Sequence, residues 1–66
     1  MSIGLSIRTG LARENKKQVW LVKKSGLSKN YVSKLCNDLA TPSYDTIIAL
    51  SLVFDVKVSE FIKWGE

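Results

Sequence analysis

The sequence has no histidine, one cysteine, one proline, and no apolar run of the length a bilayer span requires. Each absence closes a route. Without histidine, and with Cys36 alone, the usual zinc ligand sets are missing, and no metal or cofactor is expected. A lone cysteine makes no internal disulfide, which suits a reducing compartment. The N-terminus lacks the basic start and apolar stretch of an export signal, so the expected location is the cytoplasm, away from any membrane. Catalysis also lacks its parts: there is no glycine-rich phosphate loop, no carboxylate pair in an apolar setting, and no base to activate Cys36. The chain reads as a non-enzyme with no small-molecule ligand.

What is present points elsewhere. Sixty-six residues, 45% hydrophobic and 24% charged, suit one folded domain over 1–66 with a modest core. The net charge of +4 is unevenly placed. Through Asn37 eight basic residues face one acid, Glu14; from Asp38 onward two basic residues face five acids. A small domain polarised in this way can turn its basic end toward a polyanion.

Periodicity predicts an all-α chain of five helices. The first spans about Ser2 to Glu14, with Ile3, Ile7 and Leu11 four apart on one face. Gly4 and Gly10 weaken it intrinsically by up to ~1 kcal/mol each, so close helix contacts are expected there. A second helix starts near Lys17 or Gln18, buries Leu21 and Val22, and stops at Ser25-Gly26. Ser28 is placed to cap a third, whose Val32 and Leu35 pack while Lys29, Asn30, Ser33 and Lys34 remain polar. After the Asp38–Pro42 loop, Ser43 caps the most apolar segment, Tyr44 to Phe54, with Asp45 suiting the helix dipole. A short helix at Val58–Lys63 closes the chain.

Gln18 to Leu35, QVWLVKKSGLSKNYVSKL, reads as helix, glycine-containing tight turn, helix. Such a unit buries one face of each helix and leaves the second able to enter a DNA major groove. The sequence resembles the phage repressor and Cro family, the Xre-type helix-turn-helix, from about Ile7 to Ile62. Matching residues are Gln18, Leu21, Ser25-Gly26-Leu27-Ser28, Tyr31-Val32-Ser33 and Leu35. Further on they are Thr41-Pro42-Ser43, Thr46-Ile47-Ile48, Leu50, Phe54, Val56-Lys57-Val58 and Glu60-Phe61-Ile62. The resemblance implies a compact lambda-repressor-like domain that binds double-stranded DNA in the major groove and regulates transcription. A Cro-like repressor of phage or prophage origin, acting in a bacterial host at the nucleoid, is the leading reading. A restriction-modification controller, an autoregulating antitoxin, or a protein-interaction module with the same fold are the alternatives.

The resemblance also assigns roles. Lys29, Asn30, Ser33 and Lys34 stand where the family reads bases. Chemically, lysine donates to guanine O6 and N7, and asparagine pairs with adenine N6 and N7. Gln18, Ser28, Tyr31, Asn37, Thr41 and Ser43 are candidates for phosphate contacts, which position a domain without reading sequence. The Tyr31 ring has packing as its other reading. The family usually binds a near-palindromic operator as a two-fold dimer, with half-site centres ~34–36 Å apart. The interface is expected in the acidic half at Val56, Val58, Phe61 and Trp64, with a homodimer that is weak off DNA.

Three departures from the family pattern bear on these roles. The family often braces its recognition helix with an arginine from the first helix against a glutamate. Leu11 and Cys36 occupy those positions, and the expectation is that they pack together. Lys16 replaces an apolar residue ahead of the motif. Val19, Trp20 and Leu52 stand at commonly polar positions, for which local repacking is favoured over a partner surface.

Overall fold

A computed structural model describes residues 1–66 and contains five α-helices and no strand. They are α1 (Ile3–Glu14), α2 (Gln18–Ser25), α3 (Lys29–Cys36), α4 (Tyr44–Val53) and α5 (Val58–Lys63). Their boundaries follow local chemistry. The hydroxyls of Ser2, Ser28 and Ser43 accept from the N–H groups of Leu5, Tyr31 and Thr46 at 3.1, 3.1 and 3.2 Å. Each bond satisfies an otherwise free donor of a first turn. Two helices stop on left-handed residues: α1 on Asn15 (φ 54°) and α2 on Gly26 (φ 76°). Lys16, at the unusual junction, is exposed, and its N–H closes back onto the Leu11 carbonyl at 2.9 Å. The structure ends α4 one residue before the expected Phe54, which forms its C-cap.

One core joins all five helices. The α1 stripe Ile3, Ile7 and Leu11 meets Leu21, Val32, Leu35, Cys36, Leu50, Phe54 and Phe61, all buried. Phe54 is the hub of an aromatic group, its ring centroid 5.9 Å from Trp20 and 6.0 Å from both Phe61 and Trp64. The Arg13 guanidinium lies 5.0 Å from the centre of the Trp64 ring, a cation–π distance. Trp20 is therefore repacked into the core margin, as favoured from sequence, whereas Val19 and Leu52 remain exposed.

The glycines of α1 are explained by contact. A Cβ at Gly10 would lie 2.8 Å from the Phe54 ring, and one at Gly4 would lie 2.5 Å from the Cys36 carbonyl oxygen. Both helix-weakening residues let another element approach the α1 backbone.

Phe61, expected at a dimer interface, instead has no accessible surface and stacks on Phe54 at 19° within its own chain. Sequence marked it as a spare apolar residue on a terminal helix. The ring cluster at Phe54 uses it as core.

Phe54→Ala removes the hub and should cost about 3–5 kcal/mol. That approaches the whole net stability a core of this size supplies, about 3–5 kcal/mol. The expected outcome is loss of the cooperative thermal transition followed by circular dichroism at 222 nm. A melting temperature within a few degrees of wild type would contradict the placement of Phe54.

Candidate nucleic-acid interface

The face of α3 opposite the core carries the base-reading candidates. Val32, Leu35 and Cys36 are buried, while Lys29, Asn30, Ser33 and Lys34 are all exposed. Spacings of one, three and one residues place those four side chains along one helical face. The start of α3 is capped by Ser28 and carries Lys29 in its first turn. It thus combines a lysine with the positive end of a helix dipole.

Of the other candidates, Gln18 is brought to this face. Gln18 opens α2 and shares a shallow depression with Val19, Val22, Lys23 and Lys29. The first turn of α2 and the first turn of α3 therefore border one surface. Thr41 and Ser43 are exposed on the approach to α4. Ser43 Oγ lies 3.0 Å from Thr46 Oγ1, which lies 3.5 Å from the Tyr31 hydroxyl. This chain of hydroxyls links the start of α4 to α3. The Tyr31 ring is half-buried against the core, and its hydroxyl meets Thr46 of α4. Asn37 is exposed and folds back along α3, its Nδ2 donating to the Ser33 carbonyl at 2.9 Å. Ser28 is likewise engaged as the cap of α3.

Cys36 is buried, and burial raises its thiol pKa, leaving a protonated core side chain. Leu11 lies in the same core, but the polar link from α1 to the end of α3 comes from elsewhere. Arg8, one turn before Leu11, donates through Nη1 to the Cys36 carbonyl at 2.6 Å. The Asp38 carboxylate accepts from the Gly4 N–H at 3.0 Å and from the Ser2 hydroxyl at 2.9 Å. Sequence reasoning missed both residues. Asp38 sits just past α3 in the left-handed conformation (φ 57°), which aspartate tolerates better than most residues. That conformation, together with the glycine at position 4, was the available clue.

The Gly4 N–H and then the Ser2 hydroxyl hold the Asp38 carboxyl below the ordinary carboxylate range. A depressed folded-state pKa gives stability that is complete above the unfolded value, about 3.9, and is lost as pH falls through the folded value. Asp38→Asn should therefore melt below wild type at pH 6, and the gap should narrow as pH falls below about 4. A gap in melting temperature that is constant with pH would refute the ionised cap.

No helix is long and apolar enough to cross a membrane, and no three His, Cys, Asp or Glu side chains are grouped to hold a metal ion. A family model described as helix-turn-helix matches residues 12–61. No curated protein and no solved structure matches the chain. The match spans α2 through most of α5 and includes the depression at Gln18 and Lys29 and the exposed face of α3. The chain belongs to the Xre/Cro-like helix-turn-helix family, and as such is a DNA-binding transcriptional regulator.

Proposed function

We propose that the protein is a sequence-specific repressor of the Cro-like type, from a phage or prophage, that reads a near-palindromic operator as a homodimer. One observation carries this reading: α3 buries one face completely and holds Lys29, Asn30, Ser33 and Lys34 together on the other. A major groove is wide enough for that helix. Lys29 and Asn30 then donate to or pair with purine edges, and Ser33 and Lys34 extend the contact along the same face. Gln18 from α2, which borders Lys29, serves the flanking phosphates together with Ser28, Tyr31, Thr41 and Ser43. Asn37 serves them less directly, since its amide already holds the Ser33 carbonyl. The mechanism is occlusion: the bound protein blocks polymerase at a promoter.

The dimer contact of this reading is carried by Val56, Val58 and Trp64, which are half-buried in the isolated chain and lie in the acidic half. Phe61 supports it only from within the core. Two-fold symmetry would present both α3 helices to successive major grooves on one side of the duplex.

Selection of bound duplexes from a random pool tests the proposal. The expected product is a motif with two inverted half-sites. Lys29→Ala and Asn30→Ala should each relax one position per half-site and cost about 1–3 kcal/mol in binding to the selected duplex. An unchanged preference in both variants would remove the base-reading assignment. A single, non-repeated half-site would remove the dimer.

A further inference from the structure

The two ends of α3 are held in different ways. At its start, the α2–α3 turn is closed by Ser25 Oγ accepting from the Leu27 N–H at 3.2 Å, and by Gly26. At its end, four residues converge from α1 and the following loop. Arg8 Nη1 donates to the last carbonyl of α3, Cys36, at 2.6 Å. Asp38 Oδ1 and Oδ2 accept from the Gly4 N–H and the Ser2 hydroxyl. The Asp38 N–H in turn donates to the Leu35 carbonyl at 3.1 Å, so the same residue is fixed to α3 and to α1. Gly4 lets the two backbones meet, since a Cβ there would lie 2.5 Å from the Cys36 oxygen and 2.7 Å from Asp38 Oδ2.

We propose that Ser2, Gly4, Arg8 and Asp38 form a clamp that sets the angle at which α3 is presented to DNA, making Arg8 and Asp38 positioning residues for base reading. This rests on α3 being the helix that enters the groove.

The charges suit the task. A guanidinium sits on the negative end of α3 and a carboxylate on the positive end of α1, each favoured by the dipole it meets. Both side chains are exposed, so their direct contribution to stability is small. Their directional effect is larger. The buried side chains of α3 are Val32, Leu35 and Cys36, which begin only at its fourth residue. The base-reading residues Lys29 and Asn30 project from the other end of a rod about 12 Å long, so a small tilt at the clamped end displaces them, even with Tyr31 packed on the core between. Contacts to base edges require placement to within about 0.5 Å. Contacts between flexible lysines and phosphates are far more tolerant, because they act as charge attraction. Disturbing the clamp should thus reduce discrimination between sequences and leave general DNA affinity in place.

Three variants disturb it differently. Gly4→Ala wedges α1 away from α3 with both charges kept. Asp38→Asn keeps the shape and tolerates the left-handed backbone, but removes the carboxylate. Arg8→Met removes the donor, and Arg8→Lys restores a cation as the conservative rescue. Random-pool selection is run on wild type and each variant, at a temperature where circular dichroism shows every protein folded. Kd is then measured for the wild-type-selected duplex and for a random duplex of equal length. The discrimination ratio, the Kd for the random duplex divided by the Kd for the selected one, cancels each change in net charge.

The ratio is expected to fall about fivefold or more in Asp38→Asn and Arg8→Met, the size of one misplaced base contact. It should recover in large part in Arg8→Lys. If Gly4→Ala fails to fold, the other two variants carry the test. An unchanged ratio in both, with only the melting temperature lowered, would overturn the clamp and leave base reading by α3 intact. If wild type itself enriches no sequence, the base-reading proposal falls, and the clamp falls with it.

Discussion

Which face of α3 meets solvent depends on one constraint: Val32, Leu35 and Cys36 must be buried together. Once these three enter the core, the helical period leaves Lys29, Asn30, Ser33 and Lys34 no position except the solvent face. The polar face proposed to meet DNA is thus the complement of a packing surface. Any change that rotates α3 to bury a different side would remove apolar contacts and carry lysine toward the core, a costly exchange.

The remaining helices hold that orientation. α1 crosses the end of α3 at Gly4, and its other glycine, Gly10, lies against the Phe54 ring. α4 and α5 supply Leu50, Phe54 and Phe61 beneath α2. The aromatic group of Trp20, Phe54, Phe61 and Trp64 connects α2 to the C-terminal segment, so the first motif helix is anchored to the opposite end of the chain. A core this small leaves little redundancy, and that explains why two glycines are kept inside a helix they weaken.

Much of this was legible in the sequence because its causes are local. Ser28 and Ser43 cap helices through bonds to residues three positions on, and Gly26 ends α2 by its own backbone freedom; Ser2, expected inside the first helix, is its cap. The polar and apolar faces of α3 follow from spacing alone. The parts missed are those in which partners lie far apart in sequence. Asp38 bonds to Gly4 and Ser2 across 34 and 36 positions, and Arg8 reaches Cys36 across 28. Leu11 and Cys36 drew attention because the family places a brace there; the tie to α1 is made one turn earlier and to a backbone carbonyl, which no side-chain pattern reveals. Phe61 was misplaced at an interface for a related reason. Periodicity shows that a terminal helix has an apolar face but does not say whether that face is already covered.

The claim on which the account depends is that the exposed face of α3, with the adjoining start of α2, is the surface that meets DNA. Amide chemical-shift mapping by NMR, with duplex DNA added at low ionic strength, tests it most directly. The expected result is that the largest shifts fall at Gln18 and from Ser28 to Lys34, with a second group at Thr41 to Ser43, and that they fade as salt is raised. Shifts centred on Leu52 and α5 instead, or none at all, would contradict it.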